Sequence, residues 1–272
     1  MIGAVFFDID GTLVTSDGKL LPSTKKAINI LKEKSIPICL ASGRATLGAL
    51  WLIEELEIEH PCMFHSGAEI YDPIKKTTLV SAPLTKDETI TLIKECRANN
   101  LYLELYSENS YYVESQNNLT EIHTELLGAP PRICSFDTLD KDFVKGVIVT
   151  DSPNKLEKVK NLNLKNLKLG IAPGSKFENI HFSNVTNQAA SRENAFNWFS
   201  NYFNLHNQDS IIFGDATSDI PFMKLCSFSV AMGNAENSVK ELASFITHSN
   251  DEDGIYHAIS VLFPGDEVLS SR

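Results

Sequence analysis

Two carboxylates end an apolar run near the N-terminus, in the stretch VFFDIDGTLV. The residues before Asp8 would form an ordinary buried strand, and Gly11 would let the chain turn sharply after Asp10. An unpaired carboxylate in apolar surroundings is costly, so both must be hydrated, hydrogen-bonded or bound to a cation. The stretch therefore indicates a chemical function at the end of this strand.

Similar polar residues follow other strand-like runs. Ser42 lies in the motif ASGR, and Asp215 and Asp219 lie in the motif GDATSD. Ligands of open parallel sheets bind outside the carboxyl ends of the strands, so we expect these residues and the first pair at one edge. Carboxylates this close ionise together only around a cation, and Mg²⁺ suits such oxygen-rich sites. The predicted metal ligands are Asp8, Asp10, Asp215 and Asp219.

The predicted site also has a suitable charge for phosphate. With Asp10 protonated, Mg²⁺ and Arg192 would bring the remaining carboxylates to a net charge of about zero. A phosphate dianion could then approach, whereas uncompensated carboxylates would repel it. Taken alone, a DxD pair is more often a solvated strand end, and Ser42 could equally be the N-cap of a helix that begins near Thr46.

The elements around these residues favour an α/β fold. In the first 65 residues and again toward the C-terminus, strand-like runs alternate with amphipathic helical segments. This alternation predicts a Rossmann-like parallel sheet with crossover helices. Between these parts the pattern changes to helices and hairpin-like strands. We predict a parallel-sheet core at residues 1–82 and 186–272, with an inserted α+β domain at 83–185.

Size and composition narrow the class of protein. The chain has 272 residues, and 35 acidic against 24 basic residues give a net charge of −11. Such a charge repels nucleic acid and anionic membrane surfaces. The five cysteines are odd in number and widely spaced, which predicts reduced core residues. With no secretory signal or membrane-length apolar run, we expect a cytoplasmic protein that binds neither nucleic acid nor membranes, of open oligomeric state.

The motifs together resemble those of a known family. DIDGT, ASGR, GDATSD and the run VAMGNAENSVKELASFITHSNDEDGIYHAI are similar to the haloacid dehalogenase superfamily of phosphohydrolases. The last run resembles the Cof-type sugar-phosphate phosphatase branch almost residue for residue. The middle of the chain resembles the large α/β cap of that branch by position more than by sequence.

The resemblance implies a mechanism. Asp8 would be the nucleophile that forms an aspartyl-phosphate, and Asp10 would protonate the leaving oxygen and then deprotonate water. Ser42 would hold the phosphoryl oxygens while Arg192 stabilises their developing charge. Asp215, with Asp219 beside it, would ligate Mg²⁺. The predicted catalytic residues are Asp8, Asp10, Ser42 and Arg192.

The sequence departs from the family pattern at three positions. Arg192 stands where the branch usually has lysine, and a planar fork replaces a compact ammonium there. Ser218 and Ser66 stand where asparagine is usual, so shorter polar side chains occupy both positions. We therefore expect activity, without expecting it to be high.

Other functions stay open at this point. The leading hypothesis is a Mg²⁺-dependent hydrolase of small phosphate monoesters from phosphorylated metabolites. A phosphotransferase or mutase would pass the phosphoryl group to another hydroxyl, and a non-catalytic protein would only bind the phosphometabolite. Hexose phosphates, pyridoxal phosphate and flavin mononucleotide all remain possible substrates. Cap tyrosines could line the substrate pocket, and Glu104, Glu108 and Glu114 among them disfavour nucleic-acid stacking.

Overall fold

The computed structural model describes residues 2–107, 110–173, 179–205 and 210–264. The strands are β1 (Ala4–Phe7), β2 (Ile38–Leu40), β3 (Cys62–Phe64), β4 (Glu69–Asp72), β5 (Thr77–Ser81), β6 (Tyr102–Ser107), β7 (Ser110–Val113), β8 (Arg132–Ile133), β9 (Lys145–Thr150), β10 (Leu167–Pro173), β11 (His181–Asn187), β12 (Ser210–Gly214), β13 (Phe228–Ala231) and β14 (Phe245–Ile246). The α-helices are α1 (Pro22–Glu33), α2 (Leu50–Glu55), α3 (Lys86–Ala98), α4 (Asn118–Leu127), α5 (Pro153–Lys160), α6 (Arg192–Tyr202), α7 (Ile220–Met223), α8 (Asn237–Lys240) and α9 (Gly254–Leu262). Short 3₁₀ turns cover Thr46–Gly48, His65–Gly67, Phe136–Thr138 and Thr217–Asp219.

A parallel sheet joins the two ends of the sequence. Its order is β14-β13-β12-β1-β2, so β1 pairs with β12 on one side and with β2 on the other. A parallel bridge between Ala41 and Met63 brings β3 alongside the end of β2. The predicted α/β fold with a parallel sheet and crossover helices is confirmed.

The side chains of β1 alternate between two hydrophobic clusters, one on each face of this sheet. Val5 and Phe7 belong to the cluster that includes residues of α1 and α9. Phe6 belongs to the other cluster, where its ring lies 5.2 Å from that of Phe199 and 5.0 Å from that of Phe222. A strand covered on both faces is apolar throughout, so polar side chains can appear only at its end.

A second sheet occupies the region predicted to be inserted. Its order is β10-β11-β9-β6-β7-β8, and its pairs are antiparallel except that of β7 with β8. A hydrophobic cluster of its own includes residues of α3 and α5. Another cluster combines this sheet and α4 with Ala45 and Leu47, which follow β2 in the first sheet. The domain boundaries at 83 and 185 stay a prediction.

Two segments differ from the elements that the sequence predicts, and a third lies outside the described residues. The sequence pattern of ATLGALWLIEELEI at 45–58 predicts one helix. The structure instead has a 3₁₀ turn followed by α2, and a Cβ at Gly48 would lie 3.2 Å from Leu127 of α4. The antiparallel hairpin of β4 and β5 has no clear alternation in the sequence, and Asp72 holds its turn by accepting from two backbone N–H groups. The last residues, GDEVLSSR at 265–272, are predicted from the sequence to be a frayed tail, and they lie outside the described residues.

Candidate active site

Three carboxylates meet where β1 and β12 end. The backbone N–H of Asp8 donates to the carbonyl of Phe213 at 3.0 Å, which aligns the ends of the two strands. Asp219 lies on the 3₁₀ turn after β12, and its Oδ2 accepts from the backbone N–H of Asp215 at 3.0 Å. One carboxylate oxygen from each of Asp8, Asp215 and Asp219 lies within 4.8 Å of the others. The predicted convergence of these three residues at one sheet edge is thus present.

These carboxylates destabilise one another when no cation is present. Burial raises the pKa of Asp8 well above its usual range, Asp219 raises it further, and Arg192 lowers it. Burial, followed by the charge of Asp219, raises the pKa of Asp215 to about 7. Ionised side chains are therefore costly here, and a bound cation would remove that cost.

The residues fit a hard divalent cation. Oδ1 of Asp219 is buried and makes no hydrogen bond among the described residues, although Nη1 of Arg192 lies 2.9 Å away. Gly11 has a φ of 76°, and a Cβ at this position would lie 2.3 Å from Oδ2 of Asp215. The backbone thus leaves room for a carboxylate beside the turn, and oxygen ligands of this kind select hard cations.

Arg192 lies in the buried interior of the site. It begins α6, for which Ser191 is the N-cap. Its Nη1 donates to the carbonyl of Ala41 at 3.1 Å, and its Nη2 lies 3.6 Å from Oδ1 of Asp8. The guanidinium therefore bridges the ends of β2, β1 and the turn that carries Asp219. This position permits contact with an anion bound at Asp8.

Asp10 has a different partner from the other carboxylates. Its two oxygens accept from Arg44, with Nε at 2.8 Å from Oδ2 and Nη2 at 2.6 Å from Oδ1. Nη1 of Arg44 donates to the carbonyl of Gly48 at 3.1 Å. The side chain of Asp10 is 53% exposed, in contrast to the buried Asp8. The role of Asp10 as a metal ligand stays a prediction.

Ser42 is buried at the end of β2. Its Oγ accepts from the backbone N–H of Arg44 at 3.2 Å, and its carbonyl accepts from the N–H of Ser66 at 3.2 Å. The N-cap of the following 3₁₀ turn is Ala45. The alternative in which Ser42 is a helix cap is therefore wrong. Its contact with phosphoryl oxygens stays a prediction.

Several supporting residues lie inside the quoted motifs without an assigned role. Thr12 donates to Oδ1 of Asp215 at 2.9 Å, and Asn234 donates to the carbonyl of Gly11 at 2.9 Å. Asn250 donates to the carbonyl of Val14 at 2.8 Å. These bonds fix the turn after β1 against the C-terminal part of the chain. Their partners are more than two hundred positions away, so the sequence offers no signal that pairs them.

We expect asparagine at position 215 to stabilise the metal-free protein, because it removes a buried charge beside Asp219. Saturating Mg²⁺, at about 100 times its Kd, should raise the Tm of the wild type by about 5 to 10 °C. In the Asp215→Asn protein, Mg²⁺ should raise the Tm by much less. Thermal unfolding with EDTA and with Mg²⁺ measures both effects. The exposed Asp140→Asn variant is the control and should behave as the wild type. A lower metal-free Tm together with an intact Mg²⁺ response would contradict the assignment.

Comparison with known proteins agrees with the α/β fold and the carboxylate site, because the similar proteins are hydrolases and phosphatases of one family. The family model for haloacid dehalogenase-like hydrolases matches residues 5–259. A Haemophilus influenzae protein named provisionally as a phosphatase is 26% identical over 97% of this chain and 99% of its own. A Bacillus subtilis 5-amino-6-(5-phospho-D-ribitylamino)uracil phosphatase is 25% identical, over 95% of this chain and 94% of its own. A solved haloacid dehalogenase-like hydrolase from Bacteroides thetaiotaomicron, 25% identical, has a TM-score of 0.86 and covers 97% of this chain and 100% of its own.

The chain belongs to the haloacid dehalogenase-like hydrolase family. The resemblance to this superfamily and to its Cof-type branch is confirmed. The predicted class of enzyme, a phosphoric monoester hydrolase, is also confirmed. Within the described residues, every helix is too short or too polar to span a membrane.

Proposed function

We propose that this protein is a Mg²⁺-dependent phosphatase that hydrolyses small phosphate monoesters through an aspartyl-phosphate at Asp8. The observation that carries the proposal is the buried cluster of Asp8, Asp215 and Asp219 with Arg192 against it. The single charge of Arg192 cannot offset three ionised carboxylates, and each carboxylate raises the cost of ionising the next, so the cluster needs a further cation.

Asp8, Asp215 and Asp219 would hold the metal, with the backbone around Gly11 shaped to leave them room. Mg²⁺ in this position would orient the nucleophile and reduce the repulsion between its carboxylate and the phosphate dianion. The raised pKa values of Asp8 and Asp215 support this role, since a cation is what would keep both ionised at neutral pH.

Asp8 performs the covalent step. A carboxylate oxygen of Asp8 attacks phosphorus, the new P–O bond forms in line, and the bond from phosphorus to the leaving oxygen breaks. Arg192, 3.6 Å from Oδ1 of Asp8, lies where it can stabilise the charge on the transferred group. Water then attacks phosphorus, phosphate departs and the Asp8 carboxylate is restored.

Asp10 transfers the protons. It gives a proton to the leaving oxygen in the first step and takes one from the attacking water in the second. Once its proton has left, Asp10 accepts two parallel hydrogen bonds from Arg44, which positions the carboxylate as the base, and the carbonyl of Gly48 in turn fixes the guanidinium. Half of the Asp10 side chain is exposed, so it can reach a substrate entering from the open side.

Lysine at position 44 should reduce turnover selectively. It keeps the charge but loses the two-pronged contact that aligns Asp10. We expect kcat for an alkyl phosphate to fall about 10- to 100-fold, with p-nitrophenyl phosphate far less affected because its leaving group needs little protonation. Steady-state kinetics with both esters measures the difference.

Arg97→Lys provides a matched control for that variant. Arg97 makes a similar two-pronged contact with Glu114 in the region of the second sheet. This variant should leave both esters unaffected. An equal loss for both esters in Arg44→Lys would mean that Arg44 acts on the phosphoryl step and not through Asp10.

The region at 83–185 is proposed as a cap domain that selects the substrate. Support comes from its separate hydrophobic cluster and from the packing of Ala45 and Leu47 against α4 and the second sheet. The substrate is proposed to be a small phosphorylated metabolite. The cytoplasmic location and the lack of nucleic-acid or membrane partners remain expectations from charge and sequence.

A phosphate-release assay tests the proposed function. Purified protein is given sugar phosphates, pyridoxal phosphate, flavin mononucleotide and p-nitrophenyl phosphate, each with Mg²⁺ and with EDTA. We expect Mg²⁺-dependent release of inorganic phosphate from at least one ester. An isomeric phosphate ester in place of free phosphate would indicate a mutase. Binding without any turnover would contradict the proposed enzyme.

A further inference from the structure

A buried polar cluster lies under the second sheet, outside the carboxylate site. Glu104 on β6 is fully buried, and its Oε2 accepts from the hydroxyl of Tyr106 at 2.7 Å. Nδ1 of His123 on α4 lies 2.6 Å from the same oxygen. The other oxygen, Oε1, has no hydrogen-bond partner in the described parts of the chain. Buried carboxylate oxygens normally accept from a donor, so Oε1 retains the capacity to accept one more hydrogen bond.

Lys145 connects this cluster to the candidate active site. It is buried at the start of β9, and its Nζ donates to the carbonyl of Gly43 at 3.2 Å. Gly43 lies between Ser42 and Arg44, so the ammonium touches the loop that holds both. Nζ also lies 5.1 Å from the ring centre of Tyr106. Burial lowers the pKa of Lys145 to about 8, and Glu104 partly offsets that effect.

The register of the sheet puts the two charged groups on one face. Tyr106 is opposite Lys145, and Glu104 is opposite Val147, on the antiparallel pair of β6 and β9. Lys145 and Glu104 are therefore diagonal neighbours, yet no ion pair within 4.0 Å joins them among the described residues. An ammonium has three donors, and the carbonyl of Gly43 uses one. Both groups retain bonding capacity that buried charges normally use.

His65 lies next to the cluster on the side of the candidate active site. It is fully buried in the turn after β3, and its ring centre lies 6.0 Å from that of Tyr106. Neither ring nitrogen makes a hydrogen bond among the described residues, although Nε2 lies 3.5 Å from Oε2 of Glu69. Its φ of 52° places it in the left-handed region, and such conformations concentrate at functional sites.

The chemistry of these groups selects one type of ligand. A hydroxyl accepts from Nζ of Lys145 and donates to Oε1 of Glu104, so it satisfies both. Two other kinds of ligand group fit less well. An anionic group would be repelled by the Glu104 carboxylate, and an apolar ring would leave Lys145 and Glu104 without a hydrogen-bond partner. We propose that Lys145 and Glu104 form a hydroxyl-binding subsite that selects phosphate esters whose leaving group carries further hydroxyls. The subsite rests on the proposed phosphatase function, which supplies the reaction it would direct.

A comparison of two substrates tests the subsite. Sorbitol 6-phosphate carries several hydroxyls in its leaving group, and n-butyl phosphate, an alkyl ester that equally needs protonation of its leaving group, carries none. In Lys145→Met we expect kcat/KM for sorbitol 6-phosphate to fall about 10- to 100-fold, the effect of losing a hydrogen bond to a charged group. The value for n-butyl phosphate should stay within about twofold. Lys155→Met, at a half-exposed lysine of α5, is the matched control and should change neither value.

A second variant tests the subsite independently, in case Lys145→Met does not fold. Glu104→Gln keeps the shape and the contact with Tyr106 and should lower the ratio of the two kcat/KM values in the same direction. Equal losses for both esters, or no change in the ratio for either variant, would overturn the subsite. Activity of the wild type on n-butyl phosphate but not on sorbitol 6-phosphate would also overturn it while the proposed function stands. Activity on neither ester, nor on the wider panel, would overturn both.

Discussion

Asparagine in place of Asp8 will reduce phosphate release by about 10⁴-fold or more, because the amide cannot act as the nucleophile. The same change removes one of the three carboxylates of the cluster, so Mg²⁺ should bind more weakly as well. Single-turnover rates at saturating Mg²⁺ separate these two effects. At saturation the weaker metal affinity no longer matters, and the remaining loss belongs to the nucleophile.

The Asp140→Asn variant is the matched control for this loss. Asp140 is 93% exposed and pairs with Lys86, remote in sequence from the cluster. Its activity should equal that of the wild type. Residual activity of Asp8→Asn above about one hundredth of the wild-type value would assign the nucleophile to another residue or to water.

Alanine in place of Gly11 should produce the second largest loss. A Cβ at Gly11 would lie 2.3 Å from Oδ2 of Asp215, and the φ of 76° strains any side chain there. The Asp215 carboxylate must move, so we expect kcat/KM to fall about 100-fold or more through weaker Mg²⁺ binding. Activity titrated against Mg²⁺ concentration should show a higher half-saturation value.

Gly170→Ala tests whether the loss comes from this one contact. Gly170 lies in β10, and apart from its chain neighbours no described residue has a heavy atom within 4 Å of the position of an added Cβ. The variant should keep wild-type activity and Mg²⁺ dependence. If Gly11→Ala retains the wild-type Mg²⁺ dependence while staying folded, Asp215 is not essential to the metal site.

The sequence is sufficient to locate the carboxylate cluster. Asp8 follows an apolar run that is buried on both faces, and Asp215 follows another, SIIFG. Paired parallel strands end at the same edge, so the two runs alone bring these residues together. Arg192, which the resemblance assigns to this site, begins α6 and lies beside Asp8 and Asp219.

The contacts that depend on side-chain direction are not predictable in this way. Arg44 and Asp10 lie in separately recognised motifs, but their pairing depends on how the carbonyl of Gly48 orients the guanidinium. Glu104 would be expected at the surface with the other acidic residues of the tyrosine-rich strands. It is instead fully buried, and only the packing of α4 against β6 supplies His123 as its partner.

The most direct test of the central claim is to identify the phosphorylated residue. Enzyme turning over a ³²P-labelled monoester with Mg²⁺ is quenched in acid and digested at low pH, and the peptides are mapped by mass spectrometry and label. We predict a phosphoryl group on the peptide that contains Asp8, and none when EDTA replaces Mg²⁺ or when Asp8 is asparagine. Label on a different residue, or rapid phosphate release from an enzyme that never carries label, would contradict the account.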